Sequence, residues 1–147
     1  MRSASVTRAE DDMDAKASIL VVDDEEVVRR GYTRLLGELD CDAQWAADGE
    51  QALRAMERRA FDVVLLDIRM PGAQGLEVLK AIKCRWPASE VVIITGYPTV
   101  ESARAALQLG ACDYLAKPAD PDQVIDAARG AMRRKKWALR AEAATVH

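Results

Sequence analysis

Four apolar segments of this chain run into side chains that could do chemistry. Leu20-Val21-Val22 leads into Asp23 and Asp24, Val63-Val64-Leu65-Leu66 into Asp67, Val91-Val92-Ile93-Ile94 into Thr95, and Tyr114-Leu115-Ala116 into Lys117. Each has a plain explanation on its own: the acidic pair could cap a helix, Asp67 could begin the turn at Pro71 and Gly72, Thr95 could cap a loop, and Lys117 could be solvated. All four on one rim define a narrower chemistry. Three crowded carboxylates hold protons more tightly unless a cation sits between them, and hard oxygen donors suit Mg²⁺. A carboxylate kept charged in this way can act as a nucleophile. Phosphorus is the electrophile that fits, because a divalent ion and an ammonium can neutralise the oxygens of a phosphoryl group in transfer. The only histidine is His147, so an internal histidine donor and a cage of His and Cys are both absent from this reading.

These groups need elements that deliver them to one edge. Ser18–Val22, Val63–Leu66 and Val91–Ile94 are unbroken apolar runs bounded by turn residues, which predicts strands buried on both faces, as in a parallel sheet covered by helices. Asp42–Ala47 is a weaker strand suited to a sheet edge, and Cys112–Ala116 is the last strand. Between them come helical stripes: Val27, Val28, Tyr32, Leu35, Leu36 and Leu39; then Ala52, Leu53, Met56 and Ala60; then Leu76, Leu79, Ile82 and Trp86. Val100, Ala103 and Leu107 mark a thinner fourth helix, and Val124, Ile125, Ala128 and Met132 a fifth. Asp48 with Gln51, and Asp120 with Pro121 and Gln123, have the form of helix starts, while Gly110 suits a left-handed cap. Five strand–helix alternations with short connections predict an α/β fold: a flavodoxin-like three-layer sandwich with five helices and a parallel sheet of order 2-1-3-4-5. In that order ligands bind at the carboxyl edge of the strands, where Asp23, Asp24, Asp67, Thr95 and Lys117 fall.

Composition sets the bounds. At 147 residues the chain suits one domain; half its residues are apolar, 31% are charged and the net charge is -3, a balance that by itself implies neither a nucleic-acid nor a membrane partner. No apolar run approaches the ~20 residues of a membrane span, and the amino terminus lacks a signal-peptide core, so a cytoplasmic location is expected. Residues 1–17 read as a disordered polar tail, 18–134 as the folded domain and 135–147 as a basic extension of the last helix with a tail. Cys41, Cys84 and Cys112, widely spaced in apolar contexts, are expected to be buried free thiols.

The segments LVVDDE at 20–25, VLLDIRMPG at 64–72, VIITGY at 92–97 and DYLAKP at 113–118 resemble, in order and spacing, the receiver domain of bacterial two-component response regulators. The resemblance runs from about Ser18 to about Arg134. It implies that Asp67 accepts a phosphoryl group from a sensor histidine kinase or a phosphotransfer protein, and that Asp23, Asp24, Asp67 and the Arg69 carbonyl hold Mg²⁺. It further implies that Thr95 binds a phosphoryl oxygen, that Lys117 pairs with the phosphate, and that a cis bond precedes Pro118. By the same resemblance Tyr114 is the switch aromatic, turning into space that Thr95 vacates and remodelling the face made by the fourth helix, fifth strand and fifth helix. The protein is then a signalling module that assists only its own Mg²⁺-dependent phosphorylation and dephosphorylation. Two departures stand out: Ala119 replaces a frequent phenylalanine, and the large Arg69 and Tyr97 flank the path of an attacking water.

Two other classes of function share parts of this pattern. An aspartyl-nucleophile phosphohydrolase usually carries a second Asp two residues after the first, where this chain has Arg69. A receiver-shaped domain that is never phosphorylated would be expected to have lost some of Asp23, Asp24, Asp67, Thr95 and Lys117. A homodimer through the face of the fourth helix, fifth strand and fifth helix is compatible with the pattern. The basic residues Arg129, Arg133, Arg134, Lys135, Lys136 and Arg140 with Trp137 could contact nucleic acid or an acidic surface, but cations at the end of a helix explain them too. Roughly 13 residues follow Arg134, too few for a helix-turn-helix, so nucleic-acid binding is not expected of this chain alone.

Overall fold

Unbroken valine, isoleucine and leucine leave a strand no polar face, so it must be covered on both sides, and the chain folds accordingly. A computed structural model describes residues 16–69 and 75–146, with side chains as far as Lys135. Five strands, β1 (Ser18–Val22), β2 (Asp42–Ala46), β3 (Val63–Leu66), β4 (Glu90–Thr95) and β5 (Asp113–Ala116), pair in parallel in the order β2-β1-β3-β4-β5. Among the described residues five helices alternate with them: α1 (Glu26–Glu38), α2 (Gly49–Arg58), α3 (Gly75–Arg85), α4 (Val100–Gln108) and α5 (Pro121–Val146). The expected strand order and layering are therefore observed.

Alternate strand residues feed two cores. Val64, Leu66, Val91 and Ile93 pack with Met56 of α2, Leu79 and Ile82 of α3 and Ala106 of α4. Val63, Leu65, Val92 and Ile94 pack on the opposite face with Leu36 of α1 and Val124, Ala128 and Ala131 of α5. Burying each large apolar side chain of this kind contributes about 1.5–3 kcal/mol relative to exposure, which is what holds the three layers in register.

Local chemistry sets the element ends. Asp48 Oδ1 accepts from the Gln51 amide at 2.8 Å, and Gln51 Oε1 accepts in turn from the Ala47 amide at 2.9 Å. At the start of α5 Gln123 Oε1 accepts from the Asp120 amide at 2.9 Å. Gly110 carries φ of 106°, the left-handed conformation expected of it, and the Lys117–Pro118 bond is cis. Gly75 opens α3 against the backbone of Ile68, where a Cβ would overlap the Ile68 Cα and carbonyl carbon. Gly75→Ala is expected to lower stability by about 2 kcal/mol, because the obstacle is main chain that cannot turn aside; urea unfolding of the two proteins checks it.

Four sequence expectations are corrected. Ala60, expected on the buried stripe of the second helix, is exposed and lies past the end of α2 at Arg58. Val27 is 82% exposed, because it lies one helical step off the inward line of Val28, Tyr32, Leu35 and Leu36. On α4 the buried residue is Ala106, while Val100 and Leu107 are 76% and 54% exposed, so the short helix faces the sheet with its small side chains. All three cysteines are free, but Cys84 is exposed, lying across α3 from Ile82, and Cys112 is only half-buried. The last helix continues to Val146. Of the basic extension, Lys135 Nζ meets Asp62 Oδ1 at 2.7 Å, and just before it Arg134 Nε lies 3.6 Å from Glu90 Oε1, both at the amino end of the sheet. The side chains of Lys136, Trp137 and Arg140, the Pro71–Gly72 turn and most of the amino-terminal tail lie outside the described residues.

Candidate functional site

Strand register brings the site together. Val22 is paired with Leu66, so the next residues, Asp23 and Asp67, emerge side by side, and the Asp67 amide donates to the Val22 carbonyl at 3.0 Å. Thr95 is paired with Ala116, and the Lys117 amide donates to the Thr95 carbonyl at 2.8 Å. Asp23, Asp67 and Thr95 are buried although polar, at 2%, 5% and 0% exposure, and Asp24 beside them is exposed.

The two buried carboxylates are held alike. Asp23 Oδ1 accepts from the Glu25 amide at 2.9 Å and Asp67 Oδ1 from the Arg69 amide at 2.8 Å. Their other oxygens share one donor: Lys117 Nζ lies 2.6 Å from Asp23 Oδ2 and 2.9 Å from Asp67 Oδ2, with Glu25 Oε1 at 3.9 Å. Burial works to lower the Lys117 pKa, but the bonds and charges of Asp23 and Asp67 outweigh it and lift it to about 12. Asp67 moves the other way from the usual salt-bridged carboxylate. Burial pushes its pKa up against the Arg69 amide and Lys117, and the Asp23 charge adds to the rise. Tyr32 of α1 lies within electrostatic reach; burial raises its phenol, and Lys117 opposes that.

Among the described residues Asp23, Asp67 and, at 3.9 Å, Glu25 thus approach one ammonium, with Asp24 grouped beside Asp23 and Glu25. Oxygens of Asp23, Asp24 and Glu25 all lie within 4.8 Å of one another, and this hard-donor set with excess negative charge fits a small divalent cation. Asp67 stands outside that oxygen group, joined to Asp23 through Lys117. Thr95 shares the rim, but its Oγ1 accepts from the Tyr97 amide at 3.2 Å, and no side-chain bond among the described residues joins that hydroxyl to Asp67 or Lys117.

Sequence reasoning missed several contacts. Glu25 is a member of the oxygen group, although it is already part of the LVVDDE segment. Arg29 donates to the Asp23 carbonyl at 2.9 Å and lies 4.5 Å from the Trp45 ring centroid, which braces the loop that carries the acidic pair. The Tyr114 hydroxyl is not left to solvent: it bonds Ser102 Oγ at 2.5 Å and accepts from the Thr99 amide at 3.3 Å. Thr99 and Ser102 also cap α4 reciprocally, so the tyrosine is tied to the start of that helix. Arg69 and Tyr97 meet, the guanidinium carbon lying 3.7 Å from the ring centroid.

A sheet of this order, with these groups on its carboxyl rim, defines a class. Residues 19–129 match the model of the response regulator receiver domain, and the chain belongs to that family, the receiver domains of two-component systems. Among curated relatives it is 36% identical over 125 residues to the alginate biosynthesis transcriptional regulatory protein AlgB of Pseudomonas aeruginosa, covering 85% of this chain and 28% of that one. It is 39% identical over 107 residues to the DNA-binding transcriptional regulator NtrC of Escherichia coli K12, covering 73% and 23%. The chain therefore spans about a quarter of the length of such relatives. Among solved structures NtrX from Brucella abortus superposes with a TM-score of 0.82 at 35% identity, over 86% of this chain and 30% of that one. A CheY-like receiver domain protein from Methanospirillum hungatei has the same fold, with a TM-score of 0.82 at 24% identity over 84% and 99%. No helix among the described residues is long and apolar enough to cross a membrane.

Proposed function

We propose that this receiver accepts a phosphoryl group on Asp67 from a sensor histidine kinase or a phosphotransfer protein. The observation that carries the reading is the single ammonium shared by Asp23 and Asp67, at 2.6 and 2.9 Å. A buried carboxylate at a strand's carboxyl end with a cation at its shoulder is an oriented nucleophile. In the transfer a bond forms between an Asp67 carboxylate oxygen and phosphorus as the donor's P–N or P–O bond breaks, the electron pair leaving with imidazole or acetate. Lys117 then pairs with the phosphoryl oxygens, and the Thr95 hydroxyl, which can donate while accepting from Tyr97, holds another. Asp23, Asp24, Asp67 and the Arg69 carbonyl, with Glu25 beside them, would hold Mg²⁺. When bound the ion supplies charge neutralisation at the transferring group. The reaction is stoichiometric, not a turnover: labelling with acetyl phosphate, followed by free-phosphate release, separates this reading from a phosphohydrolase.

The signal leaves through Tyr114. Drawing Thr95 toward a phosphoryl oxygen opens space beside β4, and a turn of the Tyr114 ring breaks its bonds to Ser102 and Thr99, which loosens the cap of α4. The exposed Val100 and Leu107 on that helix offer apolar surface to a second copy or an output partner.

Arg69 and Tyr97 bear on lifetime. They are large side chains on the loops after β3 and β4 that flank the path of an attacking water, so the phosphoryl group is expected to outlast that of receivers with small or acidic residues there. Opening that path is expected to lower the barrier to hydrolysis by about 1 kcal/mol, so Arg69→Ala with Tyr97→Ala should shorten the half-life about fivefold, timed by loss of ³²P label. Unchanged decay would count against it.

A further inference from the structure

Arg69 is the cation nearest the acceptor in sequence that is tied to neither buried carboxylate. Its amide donates to Asp67 Oδ1 at 2.8 Å, which places its Cα at the lip of the site. Its guanidinium rests on the Tyr97 ring, 3.7 Å from the centroid, and among the described residues no carboxylate pairs with it. Tyr97 is 61% exposed, so the stack is solvated and weak, and Val100, three residues on, is 76% exposed. On the other side Lys117 is pinned between Asp23 and Asp67.

A phosphoryl group on Asp67 would change the balance for Arg69. It brings close to two negative charges and three acceptor oxygens within reach of a side chain anchored two residues away. A planar guanidinium binds such a group through paired charge-assisted hydrogen bonds, which are stronger than an exposed cation–π contact. The stack uses the flat face of the guanidinium and a phosphoryl group would use its in-plane N–H donors, so the move is one of reach: no guanidinium nitrogen of Arg69 pairs with the Asp67 carboxylate, and the side chain swings from Tyr97 toward Asp67 to bring its donors to the phosphoryl oxygens.

We propose that Arg69 is a second cationic ligand of the phosphoryl group, held in reserve on Tyr97, and that its transfer bares the Tyr97 ring, three residues before the exposed Val100. The inference rests on Asp67 as acceptor and adds a route from the site to the surface that does not pass through Thr95 and Tyr114. The freed ring extends the apolar surface at the start of α4, so the output face gains area only in the modified state.

The test uses the full 147-residue chain with Mg²⁺ and beryllofluoride, a phosphoryl mimic, followed by NMR of the Arg69 side chain and the Tyr97 ring. In the free protein the Arg69 δ and ε protons are expected to be shifted upfield by the ring, a shift that Tyr97→Leu abolishes. At saturating beryllofluoride that shift disappears in the parent, and Arg69→Gln binds the mimic about tenfold more weakly while Arg69→Lys recovers part of the loss, as removal of a charge-assisted pair requires. Retention of the upfield shift in the bound protein, or undiminished affinity in Arg69→Gln, overturns the inference and leaves Asp67 as acceptor intact. Absence of any beryllofluoride-dependent change, with no acetyl phosphate adduct by mass, overturns both.

Discussion

In the Asp67→Asn variant, incubation with Mg²⁺ and acetyl phosphate will leave the intact mass unchanged, and near neutral pH the metal-free variant will unfold at a higher temperature than the parent. The first effect is complete because an amide nitrogen or oxygen cannot replace the carboxylate as nucleophile, and no other carboxylate of the site has both the burial of Asp67 and a position at the end of β3. The second follows from the raised Asp67 pKa. A carboxylate whose folded-state pKa lies above its unfolded value of 3.8 gives a contribution fully present below that value and lost as pH rises through the folded pKa. Ionised Asp67 therefore weakens the fold near neutrality, and asparagine removes that cost. Thermal unfolding across the acid-to-neutral range checks the sign: the two proteins should converge in acid and separate above the carboxylate titration.

Lys117→Met will act in the opposite sense on stability. It removes the one ammonium shared by two carboxylates whose side chains are only 3% and 6% exposed, leaving like charges side by side out of water. Breaking a buried pair in this way costs about 3 kcal/mol, because the remaining charges lose their compensation. In the parent the Lys117 contribution is fully present below its ordinary pKa of 10.5 and fades as pH rises toward about 12, so only strong alkali should mimic the substitution. Mg²⁺ is expected to stabilise the variant more than the parent, since cation charge among the carboxylates replaces what was lost. Urea unfolding with and without Mg²⁺ measures both effects. Equal stability of variant and parent without metal would show that the shared ammonium does not hold the site together.

The sheet and its rim were legible because they rest on continuous signals. Strands β1, β3 and β4 are buried on both faces, so the sequence carries no alternation to confuse them, and in a parallel sheet every strand end falls on one edge. Reading the residue after each apolar run was then enough to collect Asp23, Asp67 and Lys117, while β2, half-exposed at the edge, gave the diluted pattern an edge strand must give. Helix faces were less legible. On α4 the apolar bulk of Val100 and Leu107 suggested a buried stripe, but the helix packs through Ala106, whose methyl group weighs little in any hydropathy pattern. Val27 misled for the same reason: an apolar residue beside the inward line looks like part of it. Contacts made through space had no sequence signal. Nothing in one dimension links Tyr114 to Ser102 or Arg29 to Trp45, because each pair spans two elements brought together by the packing of others, and Arg69 and Tyr97 could be placed at one site by their positions but not read as a stack.

The central claim is that Asp67, with Lys117 at its shoulder and acidic groups ready to hold a cation, takes up a phosphoryl group. The most direct measurement is intact-mass spectrometry of the parent chain after exposure to Mg²⁺ and acetyl phosphate, followed by peptide mapping. The account predicts one acid-stable, base-labile adduct per chain, located on Asp67 and dependent on Mg²⁺. Steady release of phosphate without an adduct, an adduct on another residue, or no adduct at all would contradict it.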